Sequence, residues 1–112
     1  MQDFRNLIAW QKSHDFVKEI YLHSSAFPSH ELYGLTSQLR RAAMSIPTNL
    51  AEGAARGSNA DFARFVQISI GSAAETEYLV FLAFELGYFS IEIFEDMSGK
   101  IEEIKRVLTG FL

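Results

Sequence analysis

Several residue types are scarce in this chain of 112 residues, and each scarcity excludes a class of protein. Cysteine is absent, which excludes a disulfide framework, a thiolate nucleophile and a thiolate metal site. Glycine and proline number only 7 and 2, too few for a low-complexity or collagen-like chain. The longest apolar run, from Tyr78 to Phe84, is far too short to cross a membrane. The N-terminus has no charged-then-apolar export signal, so we expect a cytoplasmic protein with no membrane association.

The residues that are present predict one folded, acidic domain over residues 1–112. Apolar residues make up 48% of the chain and charged residues 21%, which excludes a disordered protein. The net charge of −4 is unevenly distributed, because residues 1–64 carry +1 and residues 65–112 carry −5. Any anion-binding surface is therefore expected in the first half of the chain.

Apolar residues recur with a helical period in four segments, and no segment alternates convincingly with a period of two. The first, third and fourth predicted helices run approximately over residues 7–26, 58–86 and 91–112. The second begins between residues 30 and 35 and ends near residue 55. Pro47 is expected to kink the second helix, and Gly57 to cap its C-terminus. Ser58 and Ser90 are the predicted N-caps of the third and fourth helices. Short connections make neighbouring helices antiparallel, which predicts an all-α, up-down-up-down four-helix bundle.

The third predicted helix is apolar on two opposed sides. One helix cannot direct both sides at a single four-helix core, and monomers rarely expose an apolar patch of that size. We therefore expect the chain to self-associate through this helix, with three candidate residues at the subunit interface: Ile68, Leu79 and Leu82. The alternative is that the first and fourth helices cover both sides of the third.

The sequence contains no recognisable catalytic or metal-binding pattern. No Glu is followed by His three positions later, which excludes the ligand motif of di-iron bundles. No Arg is followed by His at the spacing of helical ribonucleases, and phosphate-binding loops and nucleophile elbows are absent. We therefore expect a protein that is not an enzyme and that uses no metal ion, cofactor or small-molecule substrate.

Charged and polar residues of the second and third helices are the remaining candidates for function. Every basic residue between positions 36 and 64 is an arginine: Arg40, Arg41, Arg56 and Arg64. Guanidinium groups suit phosphates and carboxylates, so these residues either bind a partner or form ion pairs within the chain. A structural polar network is expected among Asn49, Glu52, Glu75 and Glu77. Because Glu77 projects toward an apolar sector, we expect it to pair with an arginine of the second helix.

The segment from Tyr33 to Gly53, YGLTSQLRRAAMSIPTNLAEG, resembles the signature of a known family. That family consists of four-helix-bundle proteins encoded within intervening sequences of bacterial 23S ribosomal RNA genes. The resemblance covers nearly the whole chain. Its further matches are Trp10-Gln11-Lys12, Phe27-Pro28, Ser58-x-x-Asp61-Phe62, Gly71-Ser72-Ala-Ala-Glu75-Thr-Glu77 and Leu86-Gly87-Tyr88.

This family is similar to the accessory protein of diversity-generating retroelements, a basic homopentamer that binds nucleic acid and associates with a reverse transcriptase. The resemblance implies an antiparallel bundle, a homopentamer, and RNA or DNA binding at the four arginines named above. The leading hypothesis is a non-enzymatic, homo-oligomeric module that binds a macromolecular partner such as RNA or a ribonucleoprotein. The net charge of −4 favours the alternative, a protein-interaction scaffold without affinity for nucleic acid.

Overall fold

A computed structural model describes residues 2–112, and its helices form an antiparallel four-helix bundle. The four helices are α1 (Ile8–Ser24), α2 (Ser37–Ala54), α3 (Asn59–Glu85) and α4 (Ile91–Thr109). Residues 2–112 contain no strand, and short helical turns occupy Phe4–Asn6, Ser29–Glu31 and Leu32–Thr36. The prediction of an all-α four-helix fold is therefore confirmed. None of the helices in residues 2–112 combines the length and apolar character needed to cross a bilayer.

The packing contacts establish the up-down-up-down arrangement. Helix α1 packs against α2 and α4, and α3 packs against the same two helices. At each connection, a residue late in one helix meets a residue early in the next, as for the Phe84 and Phe94 rings, whose centroids are 4.4 Å apart. An ion pair of 2.9 Å between Lys12 and Glu103 joins α1 to α4. Buried side chains from all four helices form one continuous core.

Helices α2 and α3 approach each other closely at Gly53. A Cβ atom on Gly53 would lie 2.8 Å from the Cβ atom of Phe65, closer than side chains pack. Glycine is therefore needed here so that the two helices can meet. Farther along the same pair, the Ser69 hydroxyl donates a hydrogen bond of 2.9 Å to the carbonyl oxygen of Ile46.

Local sequence signals define most of the helix ends. The Ser58 and Ser90 hydroxyls accept hydrogen bonds from backbone N–H groups three residues later, at 3.1 and 3.2 Å, so both predicted N-caps are confirmed. Helix α3 stops before Gly87, whose φ of 81° is favourable only for a residue without a side chain. The prediction that Gly57 caps α2 is wrong, because α2 ends at Ala54 and Ala55 is its right-handed C-cap.

The beginning of α2 has a feature that periodicity does not predict. A π-helical turn, Leu32–Thr36, precedes α2, and Gly34 within it has non-helical angles of φ −113° and ψ −112°. The Glu31 carboxylate stabilises this turn by accepting hydrogen bonds from the Leu35 N–H at 3.3 Å and the Tyr88 hydroxyl at 2.9 Å. Helix α2 runs without interruption through Pro47, and the kink expected there stays a prediction.

Candidate functional site

Ion pairing divides the basic residues into two groups. All four lysines lie within 3.2 Å of a carboxylate oxygen: Lys12, Lys18, Lys100 and Lys105. Among residues 2–112, four arginines form no such pair: Arg40, Arg41, Arg56 and Arg106. Three of these four lie on α2 or just beyond its end. The positive charge that the chain leaves uncompensated is therefore concentrated along one helix.

The first arginine pair, Arg40 and Arg41, lies at the start of α2. The Arg40 guanidinium donates hydrogen bonds to the Ser24 hydroxyl at 2.9 Å and to the Tyr21 carbonyl oxygen at 3.5 Å. Its Cζ atom also lies 4.6 Å from the centre of the Tyr21 ring. These partners are all neutral, so they orient the guanidinium without compensating its charge. Arg41 is exposed to solvent.

The second arginine pair, Arg56 and Arg64, lies at the turn between α2 and α3. Both guanidinium groups contact the Phe65 ring, with Cζ atoms 4.9 and 4.6 Å from its centre. One carboxylate is near, since Arg64 lies 3.6 Å from Asp61. The aromatic ring favours both cations. Sixteen positions separate Arg40 from Arg56, so the two pairs are roughly 24 Å apart along the helix axis.

The predicted polar network does not form, because no hydrogen bond in residues 2–112 joins any two of its four members. Asn49 donates hydrogen bonds to the carbonyl oxygen and the hydroxyl of Ser45, at 2.8 and 3.0 Å. The Ser45 hydroxyl in turn shares a hydrogen bond of 2.7 Å with the Ser72 hydroxyl, which connects α2 to α3. The structure does not bring Glu52 into this group, because the residue is exposed.

The two glutamates of α3 have separate partners. Glu75 accepts a hydrogen bond of 3.4 Å from Gln38. Glu77 pairs with Lys105 of α4 at 2.9 Å, so the prediction that it pairs with an arginine of α2 is wrong. The helical wheel placed Glu77 in an apolar sector, but α4 lies beside that sector and supplies the cation. In residues 2–112, Glu75 therefore contacts a neutral amide and Glu77 a lysine, and neither contacts a second carboxyl group or an imidazole.

The three candidate interface residues lie in different environments. Leu79 is only 5% exposed and belongs to the core, so its prediction as an interface residue is wrong. Leu82 is half-buried, whereas Ile68 is 42% exposed. Leu79 belongs to the same core cluster as Leu39 of α2, whereas Ile68 is not part of that cluster.

Helix α3 nevertheless keeps an apolar surface. Its outer side carries three exposed apolar residues and two small ones, interspersed with exposed Gln67, Glu75 and Glu85: Ile68, Gly71, Ala74, Tyr78 and Phe81. A Cβ atom added at Gly71 would meet no other atom within 4 Å. Of the three predicted interface residues, Ile68 lies on this outer side and Leu79 lies in the core, since a wheel gives directions and not which neighbour occupies them.

Two further observations limit the chemistry of the surface. In residues 2–112, no three metal-ligating side chains come together. The groove between α1 and α4, about 270 Å³ in volume, is lined by both lysines and carboxylates, including Lys12, Lys100 and Glu103. These groups pair with one another or with nearby acids, so the groove has little unbalanced charge to offer a ligand.

Sequence reasoning did not identify the residues that hold Arg40 in place. Tyr21 and Ser24 lie on α1, and their contacts with Arg40 arise only when α1 and α2 pack side by side. It also overlooked Tyr33, which is 94% exposed. The available signal for Tyr33 was its position: it is an aromatic residue beside Gly34 and lies outside the apolar side of α2.

Comparisons with known proteins agree with this fold. A family profile described as "23S rRNA-intervening sequence protein" matches residues 5–110. The chain is also similar to a crystal structure, at 1.70 Å resolution, of a protein with unknown function from the S23 ribosomal protein family of Bacteroides thetaiotaomicron VPI-5482. The two are 27% identical, with a TM-score of 0.83, over 92% of this chain and 93% of the other. No curated protein gives a significant match.

Proposed function

The chain belongs to the 23S rRNA-intervening sequence protein family, and from this premise we propose that it is a non-enzymatic, homo-oligomeric module that binds RNA or a ribonucleoprotein. The observation that carries the proposal is the distribution of free cations. Every lysine is neutralised by a carboxylate, whereas Arg40, Arg41 and Arg56 of the α2 surface are not. Solubility alone does not require that the lysines be paired with carboxylates while these arginines are left unpaired.

The spacing of the arginine pairs favours an extended polyanion as the partner. The pairs lie roughly 24 Å apart along α2, too far for one small anion to contact both. Two arginine pairs on one subunit would bind a phosphate backbone weakly. An oligomer repeats the surface, and repeated weak contacts raise the overall affinity without any new contact. This is how a chain with a net charge of −4 can bind nucleic acid.

Self-association through the outer side of α3 is the second part of the proposal. Ile68, Tyr78 and Phe81 expose apolar surface there, and Gly71 and Ala74 leave room for another helix to approach closely. We propose a closed homo-oligomer, and the family resemblance indicates five subunits. Tyr78→Glu places a charge on this surface and is expected to reduce the mass measured by light scattering. Glu102→Gln, on the solvent face of α4, is the control.

The alternative function is a protein-interaction scaffold without affinity for nucleic acid. It is favoured by the acidic balance of residues 65–112, which repels a phosphate backbone. The outer side of α3 serves this function equally well. Binding measurements with nucleic acid separate the two candidates.

The test measures binding of a labelled RNA hairpin and a DNA duplex by fluorescence anisotropy, at about 50 and 200 mM salt. Arg41→Gln combined with Arg56→Gln is expected to weaken RNA binding about tenfold and to lower the salt dependence by about two counterions. Arg106→Gln is the matched control, because Arg106 is also unpaired but lies on α4. Equal losses in both variants would contradict the assignment to α2. No binding at about 50 mM salt would favour the scaffold.

A further inference from the structure

Two adjoining depressions lie on either side of Arg40, where the end of α1 meets the beginning of α2. The larger, about 350 Å³ in volume, includes Tyr33, Ser37 and Arg41 in its lining. The smaller, about 210 Å³, includes Ser24. Arg40 and Thr36 line both. No aspartate or glutamate among the described residues lines either depression, so the arginine charge is unopposed there.

Arg40 is held in a fixed orientation within these depressions. Ser24 and the Tyr21 carbonyl oxygen together accept two of its five N–H donors, and the Tyr21 ring lies against the guanidinium plane. The remaining donors have no protein partner in residues 2–112. A guanidinium that is oriented in advance loses less conformational freedom when it binds an anion.

Thr36 provides a second, independent observation. The residue is 4% exposed, and its hydroxyl is the one buried side-chain polar atom in residues 2–112 without a hydrogen-bond partner. Buried hydroxyl groups are normally hydrogen-bonded, so an orphan of this kind calls for an explanation. Thr36 lines both depressions, so a rotation of its side chain would present the enclosed hydroxyl to a ligand oxygen bound between them.

We propose that Thr36, Ser37, Arg40 and Arg41 form a binding site for one phosphoryl group, with Tyr33 available to stack on an attached base. A phosphoryl group fits better than a carboxylate because its three or four oxygens can meet donors from several directions. The inference rests on the proposed function, since it assigns one RNA phosphate to the first arginine pair. The same chemistry also suits free phosphate. The nearest competing carboxylate, Glu75, borders Arg41 in a neighbouring depression and forms no ion pair with it.

The test is an NMR titration of the full chain with inorganic phosphate at low salt. Saturable shifts are expected for the side-chain Nε–H signals of Arg40 and Arg41 and for the Ser37 amide, but not for the Arg56 signal. Arg40→Lys keeps the charge and removes the fork, and is expected to weaken phosphate binding about tenfold. Arg56→Lys is the matched control and is expected to bind as the wild type does. Equal, unsaturable shifts at all arginines would overturn the proposal.

A second variant covers the case in which Arg40→Lys fails to fold. Thr36→Val keeps the shape of the side chain and removes only the unpartnered hydroxyl, so the fold is expected to survive. Phosphate affinity is expected to fall severalfold. Unchanged affinity in every folded variant at positions 36 and 40 would overturn the site.

Short RNAs of one sequence, with a 5′-phosphate or a 5′-hydroxyl, identify the source of the phosphoryl group. Tighter binding of the 5′-phosphate form, lost in Arg40→Lys, indicates a terminal phosphate. Equal binding of both forms, again lost in this variant, indicates the backbone, and both results support the site. Phosphate binding with no RNA binding supports the site and contradicts the proposed function. RNA binding that survives Arg40→Lys but is lost when Arg56 is removed overturns the site at Arg40 and leaves the proposed function standing.

Discussion

Gly53→Ala tests the close contact between α2 and α3, and two opposing effects act at this position. Alanine in place of glycine within a helix normally stabilises it by about 1 kcal/mol. Here the new Cβ atom would lie 2.8 Å from the Phe65 Cβ atom and 3.3 Å from the Phe62 ring. A Cβ atom cannot rotate out of the way, so α2 and α3 must move apart. Overpacking of this kind costs about 1–3 kcal/mol, and we expect net destabilisation of about 1 kcal/mol.

The assay is thermal and urea unfolding at one fixed protein concentration, because the proposed self-association would make the melting temperature depend on concentration. A loss of 1 kcal/mol corresponds to a melting temperature lower by roughly 4 °C in a domain of this size. Gly99→Ala is the matched control. It lies within α4, where an added Cβ atom would meet nothing within 4 Å, so it is expected to stabilise the fold. A Gly53→Ala protein as stable as Gly99→Ala would refute the close approach of α2 and α3.

Three further predictions concern stability. Leu79→Ala should lower the free energy of unfolding by about 2–3 kcal/mol, because it leaves a cavity in the core, whereas Ile68→Ala should cost less than about 1 kcal/mol in urea unfolding. Ser69→Ala removes the buried hydrogen bond to Ile46 and should cost about 1 kcal/mol by the same assay; an unchanged midpoint would contradict the bond. The hydrogen bond from Tyr88 holds the pKa of Glu31 below its ordinary value, so this contribution exists at neutral pH and disappears as the pH falls through the lowered pKa. Wild type should therefore be more stable than Tyr88→Phe near pH 7, and the difference should shrink in acid; a difference independent of pH would exclude the linkage.

The sequence predicts some features of the candidate site, and others depend on contacts between helices. The four arginines were identified from their residue type and positions in the sequence, and the family resemblance supplied the binding role predicted for them. Which of them carry unopposed charge depends on the carboxylates nearby, and in residues 2–112 Arg64 alone of the four has one, Asp61 on its own helix. Glu77 illustrates the difficulty, because its cation, Lys105, lies 28 positions away on α4. The same holds for Arg40, whose orienting partners lie on α1.

The sequence by itself determined the features that depend on neighbours within about one helical turn. Helical periodicity, the N-caps at Ser58 and Ser90 and the stop at Gly87 all arise from bonds or angles between residues close in sequence, so the pattern of residues defines them. Tertiary structure alone decided which side of each helix faces a neighbour. A helical wheel gave Leu79 and Ile68 similar directions, yet Leu79 is buried in the core and Ile68 is 42% exposed. Burial depends on where another helix ends and how closely it approaches, and that is a property of packing rather than of any one segment.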